Sequence, residues 1–252
     1  MYTTVLLDIS GVLYQGSAPI AGSAQAVQRL RRAGVALRFV TNTSRQPASA
    51  VLKKLRSLGF EVAEKELFTA PQAAKRWLVD RGRRPFLIIH PDIEPEFEDL
   101  DQDNPDAVLL ADAEDRLNYD SLDRAFALLM DGAPLLAIGD NRYFQGDDRL
   151  HLDAGPFVRA LEYAAGIEAQ VAGKPSPLFF EQAVADAGSV AGEALMVGDD
   201  VTADVQGALD AGLNACLVRT GKYRPGDEDS VKGQAMIESS LESLVETLTR
   251  EF

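Results

Sequence analysis

Cysteine and histidine are almost missing from this chain. Its 252 residues include one cysteine, Cys216, and two histidines, His90 and His151. A single cysteine forbids any disulfide within the chain, and the usual zinc sites need more His and Cys ligands than these. The stretch that holds Cys216, "NACLVRT", reads as a buried strand with a small thiol in its core. No G-x-S-x-G run occurs, so a serine nucleophile on a strand-to-helix elbow is not expected. Basic residues are outnumbered: 25 Lys and Arg against 39 Asp and Glu give a formal net charge of -14. Neither a nucleic acid nor an anionic membrane suits a surface of that sign. No apolar stretch approaches the roughly 20 residues of a membrane span, and the first residues lack the basic flank and cleavage pattern of a secretory signal. A cytoplasmic location is the resulting expectation.

What is present is an alternation of short apolar runs and helical patterns. The strand candidates are 4–7, 35–40, 86–89, 107–111, 134–138, 194–197 and 214–218. Between them, Val51, Leu52, Leu55 and Leu58 recur at helical spacing after Pro47, with Gly59 where a C-terminal cap belongs. Leu122, Phe126 and Leu129 mark a second helix, and Phe157, Leu161 and Ala164 a third. Strands that alternate with helices and are apolar throughout predict an α/β fold, with parallel sheets covered on both faces. Residues 73–171 hold their own strands and helices. They include the acidic stretch "HPDIEPEFEDLDQDNPD" (90–106), which reads as a solvated connection. The expected organisation is a Rossmann-like parallel-sheet core from residues 1–72 and 172–252, with an inserted α/β domain at 73–171.

In open parallel sheets, ligands bind at the carboxyl ends of the strands. Four polar groups fall there or nearby. Asp8 ends the first apolar run, in "TTVLLDISGVLYQG". Thr41 and Asn42 follow the second, in "FVTNTS"; Asp199 and Asp200 follow 194–197, in "MVGDDVTAD"; Lys174 precedes a helix, in "VAGKPSP". Most have a purely structural explanation when taken singly. Thr41 or Asn42 suits a turn, Asp199 or Asp200 suits a helix cap, Asp204 suits the positive end of a helix, and Lys174 suits the surface. Together they form a set for phosphoryl transfer. Asp8 and Asp199 suit a hard cation such as Mg2+, which takes oxygen ligands and few carboxylates. Thr41 and Asn42 offer hydrogen bonds to phosphoryl oxygens, and Lys174 offers compensating charge. A carboxylate also serves as nucleophile by forming an aspartyl-phosphate. Gly11 lets the backbone turn sharply with its amides facing an anion.

The segments "DISGVL", "TN", "GKP" and "GDDVTAD", in that order, resemble the four motifs of the haloacid dehalogenase superfamily of phosphatases. The resemblance covers essentially the whole chain and implies a large α/β cap inserted between the second and third motifs. It implies Asp8 as phosphoryl acceptor and metal ligand, with the Ser10 carbonyl and the Asp199 carboxylate completing the protein's grip on Mg2+. It further implies substrate contacts from Asp8, Ile9, Ser10, Thr41, Asn42 and Lys174, and supporting roles for Asp200 and Asp204. The partner is then a small phosphorylated substrate, and a homodimer through the cap is expected. Segment 143–157, "YFQGDDRLHLDAGPF", is the expected site-facing part of the cap.

Most phosphatases of that superfamily carry a second aspartate where this chain has Ser10, and it protonates the leaving group. A hydroxyl is no substitute for a carboxylic acid at neutral pH. General acid assistance is commonly worth roughly 100- to 10,000-fold, and an alkyl phosphate would lose most of it. Pyrophosphate, or a phosphoramidate whose nitrogen is already protonated, would lose least. The chemistry therefore points to P–O–P and P–N bonds, such as those of phospholysine and phosphohistidine. Two other readings stand: a phosphatase of a small sugar or nucleotide monophosphate, and an inactive phosphate-binding scaffold.

Overall fold

All seven apolar runs become strands in the computed structural model, which describes residues 2–145 and 148–250. They fall into two parallel sheets, each within its own compact body. The first body comprises residues 1–41, 48–68 and 174–252, and the second comprises 42–47 and 69–173. The expected limits differ from these by a few residues at each junction and by the short segment 42–47.

The sheet of the first body runs Met236–Glu238, Asn214–Val218, Ala194–Gly198, Thr4–Asp8, Ala36–Thr41, with Leu67–Thr69 at the far edge. Strand Thr4–Asp8 pairs in parallel with a neighbour on each side, placing Leu7 beside Val197 and Asp8 beside Val40. Successive side chains point to opposite faces of a strand, so a central strand must be apolar at every position. Val5 and Leu7 pack on one side with Phe39, Val197 and Cys216, against Leu30, Leu55 and Leu244 from three helices. Leu6, Met196 and Leu217, at the intervening positions, are equally buried. The thiol of Cys216 is therefore a core group, and burial pushes its ionisation up.

The second body has a four-stranded parallel sheet in the order Gln170–Val171, Leu135–Ala137, Ala107–Leu110, Pro85–Ile88. Helices Tyr119–Met130 and Gly155–Ala165 cover it through Ala125, Leu129, Val158 and Leu161. Helix Ala70–Asp80 begins at a reciprocal cap. Thr69 Oγ1 accepts from the Gln72 N–H (3.2 Å), while the Thr69 N–H donates to Gln72 Oε1 (2.9 Å).

The acidic stretch 90–106 departs from its expectation as a solvated connection. It holds a 3-10 turn, Pro91–Glu96, and buries Ile93 and Phe97 completely. Two apolar residues on one side of an otherwise charged segment anchor it to the core. Leu67–Thr69, Gln170–Val171 and Met236–Glu238 are strands of two or three residues at sheet edges, too short to register as apolar runs.

Candidate active site

Because Thr4–Asp8 and Ala194–Gly198 are adjacent and parallel, their carboxyl ends coincide. Asp8 is the last residue of its strand, and Asp199 and Asp200 directly follow the other. The chain then enters a wide helical turn, Val201–Gln206, that carries Asp204 back beneath the strand end. Gly198 permits this approach: a Cβ there would stand 2.1 Å from that of Asp204. As a result, carboxylate oxygens of Asp8, Asp199 and Asp204 lie within 4.8 Å of one another, and all three residues are buried.

Lys174 joins two of these acids. Its Nζ donates to Asp8 Oδ1 at 2.5 Å and to Asp204 Oδ1 at 2.6 Å, and its side chain is 4% exposed. Burial works against its charge, yet the carboxylates of Asp204 and Asp8 hold the ammonium well above its ordinary value. Burial raises Asp8 to about 7, a rise that Lys174 opposes and the Asp204 and Asp199 charges reinforce. Burial likewise raises Asp199, although the Lys222 N–H opposes it. Three buried acids around one buried ammonium leave an excess of negative charge, which burial makes costly. An all-oxygen donor set with that imbalance fits a hard divalent cation. Asp8, Asp199 and Asp204 are the side chains that would hold it.

The remaining expected residues have different settings. The Ser10 side chain is exposed, and its backbone forms an isolated bridge with Tyr14. Ile9 is 2% exposed and belongs to the apolar core, so any substrate contact would fall to its backbone. Thr41 closes its strand, half-buried, in the first body. Asn42 groups with the second body, where a Cβ on Gly173 would come 3.0 Å from its Oδ1. Asp200 caps the turn it precedes: its Oδ1 accepts from the N–H groups of Thr202 (3.1 Å) and Ala203 (2.9 Å). Its Oδ2 meets Lys222 Nζ at 3.2 Å. Asp204 does more than suit a helix end, since it lies in the acidic cluster and binds Lys174.

Segment 143–157 forms a hairpin, Tyr143–Gln145 with Leu150–Leu152, and the first residues of a helix in the second body. Residues 146 and 147 of that segment lie outside the described residues. Phe144 stacks on His151 (centroids 5.4 Å apart), and the Arg45 guanidinium lies 5.1 Å above the Phe144 ring.

The sequence reading gave no role to the turn Thr220–Gly221–Lys222, within the segment "VRTGKYRP". The Lys222 N–H donates to Asp199 Oδ2 at 2.6 Å, and the Thr220 hydroxyl donates to the Gly11 carbonyl. These residues follow the strand Asn214–Val218, so the rule that singled out the other strand ends applied to them too.

Comparison with known proteins agrees with this arrangement. A haloacid dehalogenase-like hydrolase profile matches residues 5–103, and a second profile of the same kind matches residues 171–244. The phospholysine phosphohistidine inorganic pyrophosphate phosphatase of Xenopus laevis is 46% identical over 231 residues, spanning 89% of this chain and 86% of its own length. The chain belongs to the haloacid dehalogenase-like hydrolases. Among solved members of similar fold, a 4-nitrophenylphosphatase from Thermotoga maritima has a TM-score of 0.86 at 27% identity, with 97% of each chain covered. A glycerol phosphate phosphatase from Mycobacterium tuberculosis, solved in complex with magnesium, has a TM-score of 0.83 at 28% identity. That match covers 96% of this chain and 76% of the other. Haloacid dehalogenase-like phosphatases are generally Mg2+-dependent, and the acidic cluster of this chain suits such an ion.

Proposed function

We propose that this hydrolase is a Mg2+-dependent phosphatase that works through an aspartyl-phosphate at Asp8 and acts on inorganic pyrophosphate and on P–N bonds. The observation that carries the reading is the placing of Asp8, Asp199 and Asp204 within 4.8 Å, with Lys174 bridging two of them. The similarity to a phosphatase named for phospholysine, phosphohistidine and pyrophosphate supports the choice of substrates.

In the proposed reaction an Asp8 carboxylate oxygen attacks phosphorus, forming a P–O bond as the bond to the leaving group breaks. A water then attacks the same phosphorus, the bond to Asp8 breaks, and orthophosphate leaves with the carboxylate restored. Mg2+, which Asp8, Asp199 and Asp204 would hold, would supply positive charge against the phosphoryl group. Lys174 takes the charge of the arriving phosphoryl group, while Asp204 keeps the ammonium aimed and protonated. The Thr41 hydroxyl and the Asn42 amide bond the phosphoryl oxygens. The Ser10 carbonyl would add a further oxygen for the metal, and Asp200 supports the turn that carries Asp204.

Ser10 provides no acid for the leaving group. Phosphate leaving from pyrophosphate, or an amine already protonated in a phosphoramidate, departs without that help. The inserted domain, at about residues 73–171, is read as the cap of this family, and the protein as a cytoplasmic homodimer. Exposed Tyr143, Leu152 and Tyr163 on the second body, and the single buried cysteine, support those last readings.

The test is hydrolysis with and without Mg2+ over pyrophosphate, phospholysine, phosphohistidine and a panel of sugar and nucleotide monophosphates. Turnover of the first three above the monoesters is the expected result. Preference for a monoester, the chemistry named for the solved glycerol phosphate phosphatase, would replace the substrate assignment. Metal binding without any turnover would leave a phosphate-binding scaffold.

A further inference from the structure

The turn at Thr220–Gly221–Lys222 touches two parts of the catalytic body at once. The main-chain N–H of Lys222 donates to Asp199 Oδ2 at 2.6 Å, and the hydroxyl of Thr220 donates to the carbonyl of Gly11. Gly11 lies three residues after Asp8, in the turn where its own N–H donates to the Tyr14 carbonyl at 2.7 Å. Between these two contacts the chains are nearly in van der Waals register. A Cβ on Gly221 would stand 2.5 Å from Gly11 Cα and 2.0 Å from Asp199 Oδ2. A Cβ on Gly11 would likewise fall 2.0 Å from Asp199 Oδ2. Both glycines have φ in the left-handed region, at +59° and +91°. The Asp199 carboxylate is thus held in a slot between two glycines, with one oxygen bonded to the amide that follows Gly221.

We propose that Thr220, Gly221 and the Lys222 amide form a clasp that orients Asp199 toward the metal ion and locks the turn after the nucleophile. Thr220 and Gly221 are positioning residues: they touch the groups that act, not the substrate. A carboxylate free to rotate must be ordered when a cation binds, which costs side-chain entropy. With Oδ2 anchored to Lys222, the other oxygen is already directed and that cost is met in folding. The Thr220 bond does the same for the backbone of the nucleophile turn, tying Gly11 to the loop that holds Asp199. The inference rests on the reading of Asp199 as a metal ligand.

The test is Mg2+ titration of the whole protein, followed by calorimetry in the absence of substrate, together with melting temperature and pyrophosphate turnover. Thr220→Val removes the hydroxyl at nearly constant shape, and Mg2+ affinity is expected to fall about tenfold; Thr220→Ser should restore it. Gly221→Ala forces a methyl against the Asp199 carboxylate and should lose about 100-fold. Gly226→Ala supplies the control for backbone strain. Gly226 has φ +104° but nothing within 4 Å of a Cβ, so its variant should lose stability while keeping its Mg2+ affinity. If Gly221→Ala fails to fold, the Thr220 pair carries the test. Thr220→Val and Gly221→Ala proteins that bind Mg2+ as tightly as wild type would overturn the clasp. A wild-type protein that binds no Mg2+ would instead overturn the reading beneath it.

Discussion

Lys174 Nζ lies 2.5 Å from the Asp8 carboxylate, although 166 residues separate them in the chain. Both side chains are nearly closed to solvent, and the same ammonium holds Asp204 at 2.6 Å. Removing it would leave two buried carboxylates facing each other unpaired. Breaking a buried ion pair from one side typically costs about 3–5 kcal/mol. Lys174→Met is therefore expected to destabilise the metal-free protein by roughly that amount. Mg2+ should recover much of the loss, because it supplies the missing positive charge. Denaturant melts with and without Mg2+ check this. A variant as stable as wild type without metal would show that the pairing does not stabilise the fold.

Asp8→Asn tests the covalent route. The amide keeps the shape of the side chain but has no anionic oxygen to attack phosphorus. Turnover should fall by roughly 10,000-fold or more, as for other lost nucleophiles. The melting temperature of the metal-free protein should rise or hold, since a carboxylate that burial disfavours is gone. Steady-state assays and mass spectrometry of trapped aspartyl-phosphate give the readouts. Retained turnover would remove Asp8 from the nucleophile's role.

The titration of Asp8 predicts an inverted pH dependence for the metal-free protein. Burial raises this carboxyl to about 7, against roughly 3.9 in the unfolded chain. Between those values the folded state holds a proton that the unfolded state has released. The contribution to stability is full below the unfolded value and is lost as pH rises through the folded one. The melting temperature without metal should accordingly fall between about pH 4 and about pH 7 and level off above, and Asp8→Asn should flatten that fall. Mg2+, which needs the ionised carboxylate, should stabilise more at pH 8 than at pH 6. A metal-free wild-type melting temperature that climbs over this interval, with the variant parallel to it, would contradict the assignment.

How far this could be read from the sequence depends on how local each signal was. Thr4–Asp8 and Ala194–Gly198 are apolar at nearly every position, because both their faces are covered, and so they were visible as runs. The acids at their ends were visible for the same reason. The pairing of Leu7 with Val197, which brings those ends together, was not, since register depends on contacts 190 residues apart. Asp204 taken singly suited a helix end, and only the resemblance gave it a supporting role; the close pass of the turn over Gly198 is what places it in the cluster. Ile93 and Phe97 were hidden by the acids around them, although two apolar side chains suffice to fix that stretch. The Thr220 turn lay within reach of the strand-end rule, but its bond to Asp199 comes from a main-chain N–H, which no residue type reports.

Ser10→Asp addresses the leaving group. Position 10 is exposed, so a carboxylate fits there without the burial penalty carried by Asp8. It is two residues from the nucleophile, on the turn that opens at the carboxyl end of the strand. There it would donate a proton to a departing alkoxide, which serine does not do at neutral pH. Monoester hydrolysis should therefore rise relative to pyrophosphate hydrolysis, by roughly 10- to 100-fold within the range that general acids supply. Pyrophosphate should gain little, because its leaving phosphate is a weak base. The ratio of kcat/KM for 4-nitrophenyl phosphate would move less than that for glycerol phosphate, whose alkoxide needs the proton more. Equal changes for all three substrates would mean that Ser10 does not set the leaving-group preference.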